Sequence, residues 1–189
     1  RWYPGAGLFR PVQLVMTGHE NIDSWESFAR TVSLSQKEAV IDVQTRVAGA
    51  GKKGLAVEVS LVNPKGYVEI AGHADVPEDG NVGLTLSLKK PQAWSPESPF
   101  LYDLVTRLYR GNKVVDETRS KFGVRTVSVS KEHGFQHNGV SRKIKGVCLT
   151  HDLGPLGSAV TKAALIRRIR LMKEMGADDI RTTHTIPSK

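Results

Sequence analysis

Between residues 40 and 127 the apolar positions alternate with polar ones. This alternation predicts β-strands with one apolar face each, because successive side chains of a strand point to opposite sides. We therefore expect these segments to pack as an antiparallel β-sandwich. The four clearest sets are Ile41, Val43, Thr45 and Val47; Leu55, Val57, Val59 and Leu61; Val82, Leu84, Leu86 and Leu88; and Tyr102, Leu104, Thr106 and Leu108.

Turn-forming sequences separate the predicted strands. They lie at residues 63–66 (NPKG), 78–81 (EDGN) and 111–112 (GN), and the last precedes a further predicted strand at 114–118. Short strands with regular turns and no helical period are typical of an immunoglobulin-like sandwich of about a hundred residues. The predicted fold class is mainly β, with this sandwich over residues 21–127.

Beyond Val127 the pattern changes to that of an α/β protein. An Asn-Gly hairpin signal at residues 138–139 precedes an apolar run, residues 144–149 (IKGVCL), which suits a buried strand. We interpret Cys148, inside this run, as a small buried hydrophobic residue and not as a nucleophile.

A helix and a second strand follow this run. Ser158 or Thr161 can cap the start of the helix, apolar side chains then recur at helical spacing, and Gly176 can end it. Residues 180–181 predict the second strand, which completes a β-α-β unit. One such unit cannot bury its own strands, so we expect the sequence to be cut within this fold. Because it also lacks an initiator methionine, we expect it to be cut from a longer chain at both ends.

Composition excludes some classes of protein. The net charge of +8 is concentrated after Val127, where eleven Lys and Arg face five Asp and Glu. A solvated helix face explains Arg167, Arg168, Arg170 and Lys173 better than a nucleic-acid footprint does, since no nucleic-acid-binding motif accompanies them. No apolar run is long enough to span a membrane, so neither nucleic acid nor a membrane is an expected partner.

Two adjacent candidate ligands, His151 and Asp152, are too few for a metal site, and loop capping is the better interpretation.

Four stretches, in this order along the chain, resemble glycoside hydrolase family 2. Residues 2–10 (WYPGAGLFR) resemble the end of its jelly-roll sugar-binding domain. Residues 94–102 (WSPESPFLY) and 122–127 (FGVRTV) resemble late strands of its immunoglobulin-like domain. Residues 145–152 (KGVCLTHD), with 171–173 (LMK) and 180–184 (IRTTH), resemble the first β-α-β segment of its TIM barrel.

The resemblance implies three domains. Residues 1–20 would be the tail of the sugar-binding domain, residues 21–127 the sandwich, and residues 128–189 the truncated start of a (β/α)₈ catalytic barrel. It also implies a retaining β-glycosidase, in which one carboxylic acid protonates the glycosidic oxygen and a second carboxylate attacks the anomeric carbon. In the family both are glutamates on later barrel strands. We therefore expect no catalytic residue, no cofactor, no metal and no hydrolase activity in this chain alone.

The resemblance also implies substrate-binding residues. Arg181 matches an arginine that orients the nucleophilic carboxylate, and His184 matches a histidine that reaches the sugar. His151 and Asp152 belong to a loop that often contributes to the pocket. The sequence departs from the family at Thr150, where many relatives carry histidine, and at residues 185–186.

Residues 2–10 and the GPLG stretch at 154–157 most resemble the β-galactosidase branch. The expected substrate of the longer enzyme is therefore a β-galactoside. A homo-oligomer formed through the exposed start of the barrel is a further expectation. The alternative function is a non-enzymatic immunoglobulin-like module for carbohydrate binding or adhesion, which leaves the β-α-β segment unexplained. Trp94 is either a sugar-stacking platform or a residue that packs over the end of the core, and we favour packing.

Overall fold

The computed structural model describes residues 12–49 and 53–183. It divides into two compact units, of which the first extends from Met16 to Ser141 and the second contains the described residues 12–15 and 142–183. The predicted domain boundaries at residues 20 and 127 stay predictions.

Two antiparallel sheets make up most of the first unit, which confirms the predicted β-sandwich. One sheet has the strand order β1-β2-β5 and the other has the order β4-β3-β6-β7. The strands are β1 (Asn21–Leu34), β2 (Glu38–Ala48), β3 (Leu55–Val62), β4 (Val68–Asp75), β5 (Asn81–Lys89), β6 (Tyr102–Arg110) and β7 (Lys113–Phe122).

The core lies between these two sheets and consists of the alternating residues that the sequence predicted. Of the sixteen residues in the four predicted apolar sets, all are buried except Leu84, which packs partly buried against the core. Thr45 and Thr106 take apolar positions in this pattern and are only 4% exposed. Burial of the aliphatic side chains on both inner faces is the main term that stabilises such a sandwich.

Strand β1 lies at the edge of its sheet and has an irregular register. Asp23 lies opposite Arg46, yet Phe28 lies opposite Gln44, so several residues of β1 bulge out of the ladder. Bulges of this kind bend the strand and leave residues unpaired. The backbone N–H of Ile22 donates to Asp116 Oδ2 at 2.8 Å, which ties the start of β1 to β7.

Charged side chains form a cross-strand network on the four-stranded sheet. Arg107 donates to Glu117 at 2.7 Å and to Glu58 at 3.2 Å, and Arg119 donates to Glu117 at 2.7 Å. The hydrogen bonds from Arg119 and then Arg107 lower the pKa of Glu117. Paired charges of this kind keep an exposed sheet face hydrated and contribute little to stability individually.

A small antiparallel sheet follows the sandwich strands. It contains β8 (Val127–Ser130), β9 (Gly134–His137) and β10 (Val140–Ser141) in the order β10-β9-β8. Asn138 and Gly139 connect β9 to β10 with φ values of 51° and 77°. Positive φ at both central residues is what an Asn-Gly hairpin requires, so the predicted hairpin is confirmed.

The second unit is the predicted β-α-β arrangement. Strand β11 (Gly146–Thr150) is followed by a 3₁₀ helix (Gly154–Leu156), helix α1 (Lys162–Glu174) and strand β12 (Asp179–Thr183). Strands β11 and β12 pair in parallel.

The ends of α1 match their sequence signals. The Thr161 hydroxyl accepts a hydrogen bond from the Ala164 N–H at 3.3 Å, which identifies Thr161 as the N-cap. Gly176 follows the helix with a φ of 88°, the left-handed conformation that commonly ends helices. Within the described ranges, no helix has the length and apolar character of a membrane span.

Candidate substrate-binding residues at the strand ends

The carboxyl ends of β11 and β12 meet at one edge of their two-stranded sheet. The parallel register runs from Gly146 opposite Asp179 to Thr150 opposite Thr183. The loop with His151 and Asp152 leaves β11 at this edge, and Arg181 lies two residues before the end of β12. Parallel α/β folds place their sites at such ends, because the loops that follow the strands converge there.

Hydrogen bonds hold the loop after β11 in one conformation. The Thr150 hydroxyl donates to Asp152 Oδ1, so the Asp152 carboxylate braces its own loop. Arg168, on α1, donates from one nitrogen to the carbonyl oxygens of Thr150 (3.3 Å) and Asp152 (2.5 Å). These bonds fix the backbone on both sides of His151, which is partly buried.

The contacts of Arg168 correct the interpretation that it lies on a solvated helix face. Arg168 is partly buried and binds the loop, whereas Arg167 and Arg170 are exposed. A run of arginines on a helix does not show which member points at the sheet. The informative signal is spacing, since Arg168 lies four residues after Ala164, the other partly buried residue in this half of the helix.

Arg181 occupies an exposed position on β12. Its neighbour across the register is Cys148, and Arg181 Nη1 lies 4.0 Å from Cys148 Sγ. On the same strand Thr183 is buried, and its hydroxyl donates to the Leu149 carbonyl oxygen at 3.4 Å. The structure thus brings Arg181 to the same two strands as the His151–Asp152 loop, while His184 lies outside the described residues.

Cys148 is exposed, so the expectation that it is buried was wrong. The alternation of a strand explains the error. Leu149 is buried and its neighbour Cys148 points to the opposite face, which it shares with Arg181. An apolar run shows that a strand is present, but it does not show which of its faces is covered.

The described ranges contain no group of three or more histidine, cysteine or carboxylate side chains that could hold a metal ion. Asp152 is engaged with Thr150, as the loop-capping interpretation requires.

Trp94 packs within the first unit. The Arg125 guanidinium lies 4.5 Å from the centre of its ring, and the His137 ring meets it edge-on at 5.4 Å. A Cβ added at Gly123 would lie 3.0 Å from the Trp94 side chain, so Gly123 allows this close approach. Asn138 Nδ2 donates to the Trp94 carbonyl oxygen at 3.0 Å. Because Arg125 covers the ring, these contacts fit packing and not a sugar-stacking platform.

Comparison with known proteins gives one consistent family. The model of glycosyl hydrolases family 2 matches residues 26–125. The β-galactosidase BoGH2A of Bacteroides ovatus is 36% identical, over 100% of this chain and 23% of that protein. A β-glucuronidase of Formosa agariphila is 26% identical, over 99% of this chain and 21% of that protein.

A solved structure agrees with these relatives. The crystal structure of a β-glycosidase from Bacteroides vulgatus matches with a TM-score of 0.87 and 34% identity, over 97% of this chain and 24% of that one. The chain therefore spans about a quarter of the length of the proteins that it matches. Since the family model covers more than half of the sequence, the chain belongs to glycosyl hydrolase family 2.

Proposed function

We propose that this chain is a segment of a retaining β-glycosidase that hydrolyses terminal β-galactosides. The observation that carries the proposal is family membership together with the parallel strand pair, because the pair provides the strand ends on which a barrel enzyme builds its site. The relative BoGH2A, 36% identical along this whole chain, is named a β-galactosidase. The β-glucuronidase from Formosa agariphila makes a glucuronide the competing substrate.

In this proposal the residues at the strand ends bind and orient, and they perform no bond cleavage. Arg181 holds the nucleophilic carboxylate ionised, a role suited to the fixed fork of a guanidinium. His184, His151 and Asp152 contact sugar hydroxyls. Arg168 is a positioning residue, since it binds the loop that carries His151 and Asp152.

Under this proposal we expect the isolated chain to have no hydrolase activity. By family resemblance both catalytic glutamates lie on barrel strands that come later than β12. A retaining mechanism needs both carboxyl groups about 5 to 5.5 Å apart, so the residues proposed here cannot replace them.

A panel of nitrophenyl β-glycosides tests the proposal on this chain and on the longer protein of which we propose it to be a segment. We expect the longer protein to release nitrophenol fastest from the galactoside and this chain to release none. Faster release from the glucuronide would overturn the galactoside assignment. Turnover by this chain alone would overturn the assignment of catalysis to later strands.

The role of Arg181 is tested in the longer protein with Arg181→Lys, with Arg170→Lys on the exposed face of α1 as the control. Lysine keeps the charge but loses the bidentate geometry. We expect Arg181→Lys to lower kcat at least tenfold and to change the pH profile of kcat/KM on its acidic limb, which reports the nucleophilic carboxylate. Equal activity of the two variants would show that Arg181 does not orient that carboxylate.

A further inference from the structure

A pocket of about 330 Å³ opens beside the bulge of β1, within the first unit. Its volume lies at the small end of the range for ligand pockets, about 300 to 1,000 Å³. The lining residues come from three strands of one sheet: Glu26 from β1, Gln44 and Thr45 from β2, and Asn81, Val82 and Gly83 from β5.

The bulge creates this pocket. Gln44 and Arg46 each have a partner on β1, but Thr45, between them, has none, because residues 24–27 leave the ladder. The Thr45 side chain is only 4% exposed, and among the described residues its hydroxyl oxygen has no hydrogen-bond partner. The Thr45 side chain belongs to the buried face of β2, so the polar side chains that a ligand in the pocket can reach are those of Gln44, Asn81 and Glu26.

The floor of the pocket is open because position 83 has no side chain. A Cβ added at Gly83 would meet no atom within 4 Å, and the backbone there needs no glycine, since its φ is not positive. The adjacent cross-strand pairs put Gln44 and Asn81 next to this opening. A glycine in the middle of a strand costs stability and often marks a bulge, a bend, or a close approach of a ligand or another backbone.

The polar groups of the pocket suit hydroxyl groups. Asn81 uses its Nδ2 on Asp79 at 2.9 Å, which leaves the amide oxygen to accept. Arg46 donates to Glu26 Oε2 at 2.6 Å, and the remaining lone pairs of this carboxylate can accept. The Gln44 amide can both donate and accept.

Two exposed aromatic residues of β1 are neighbours of these polar residues across the register or along the strand. Phe28 is 52% exposed and lies directly opposite Gln44 in the register, so its ring shares the outer face of the sheet with Gln44 and Gly83. Trp25 is 82% exposed and precedes Glu26 in the bulge. Large exposed aromatic rings beside amide and carboxylate groups can cover the C–H face of a sugar ring while its hydroxyls hydrogen-bond.

We propose that this pocket is an accessory saccharide-binding site for a neutral hexopyranoside. Gln44, Asn81 and Glu26 exchange hydrogen bonds with the sugar hydroxyls, and Phe28 and Trp25 cover its C–H face. The site goes beyond the proposed catalytic function, because it uses none of the residues at the ends of β11 and β12. Its binding can therefore be measured in this chain without any hydrolysis.

The first test is a titration of the ¹⁵N-labelled chain with methyl β-galactopyranoside, followed by amide chemical shifts. We expect saturable shifts confined to the amides of residues 24–28, 44–46 and 81–83. Methyl β-glucuronide should bind more weakly, because its carboxylate meets Glu26. Absence of saturable shifts up to the solubility limit of the galactoside would overturn the site, and tighter binding of the glucuronide would overturn its preference for a neutral sugar.

The second test fills the pocket with Gly83→Val. Valine fits the open space and the strand conformation, so the thermal midpoint should stay at or above that of the wild type, while the affinity falls at least tenfold. Trp25→Ala should also weaken binding severalfold. Tyr67→Ala removes an aromatic residue that is 67% exposed but lies far along the chain from the pocket residues, between β3 and β4, and should leave binding unchanged. Unchanged affinity in a folded Gly83→Val protein would overturn the proposal.

Discussion

Gly49 occupies a backbone position that tolerates no side chain. Its φ of 101° is in the left-handed region, and an added Cβ would overlap the backbone carbonyl of His19. Because the obstacle is backbone, it cannot rotate away as a side chain could. We expect Gly49→Ala to lower the free energy of unfolding by about 2 kcal/mol or more.

Urea unfolding measures this effect, and Gly83→Ala is the matched control. Gly83 lies inside β5 with open space around it and no positive φ. Alanine there should be neutral or stabilising by up to about 1 kcal/mol, since it reduces the freedom of the unfolded chain. Similar losses of stability in both variants would show that overlap with the His19 carbonyl is not the cause of the destabilisation by Gly49→Ala.

Tyr102 couples the stability of the sandwich to alkaline pH. Its side chain is 3% exposed, and its hydroxyl oxygen accepts the Gln92 N–H at 3.0 Å. Burial, which disfavours the phenolate, raises the pKa of Tyr102 in the folded state. The protonated phenol therefore contributes stability that is present below the unfolded pKa of about 10 and is lost as pH rises through the folded value.

Tyr102→Phe tests this coupling. At neutral pH the variant should be less stable by about 1 to 3 kcal/mol, because the Gln92 N–H loses its buried acceptor. Above about pH 10 the difference in free energy of unfolding between the two proteins should narrow, since only the wild type has a buried phenol to ionise at this position. Unfolding curves at neutral and alkaline pH give both values. A gap that stays constant with pH would contradict the buried-phenol explanation.

Among the elements, the loop after β11 depends on helix α1. Arg168 is its link, through the carbonyl oxygens of Thr150 and Asp152. Arg168→Ala should leave the helix intact and raise the amide exchange rates of residues 150–153, because two carbonyl groups lose a charged donor. Arg167→Ala, an exposed neighbour on the same helix, should leave these rates unchanged. Equal amide exchange rates of residues 150–153 in the two variants would show that Arg168 does not position this loop.

The sequence predicts the elements whose patterns are regular. Strands β2, β3, β5 and β6 alternate cleanly and were predictable, as were the Asn-Gly hairpin, the Thr161 cap and the Gly176 stop. Strand β1 was not, because its bulge breaks the alternation between Asp23 and Phe28. Strand β4, with no buried residue, also carries too weak an apolar face to stand out.

The candidate site was predictable only in part, for a physical reason. The strand-end positions of Arg181 and the His151–Asp152 loop follow from the β-α-β order alone. The contacts of Arg168 and the exposure of Cys148 depend on which face of the helix or strand is covered. The apolar pattern of a single β-α-β unit does not show which face that is. Trp25 and Phe28 give no sequence signal either, since their exposure depends on the bulge and on the edge position of β1.

Helix α1 and its C-cap leave apolar side chains exposed. Leu165, Ile166, Ile169 and Leu171 are 38 to 44% exposed and Met175 is 67% exposed. Exposed apolar side chains of this kind favour association, so we predict that two copies of this chain pair through α1. Sedimentation equilibrium should give a mass that rises from monomer to dimer with concentration. Ile169→Glu should abolish the rise, because a charge buried between copies is costly, whereas Tyr67→Glu on the first unit should not change it. A monomer at every concentration, or dimers that survive Ile169→Glu, would place the association elsewhere or exclude it.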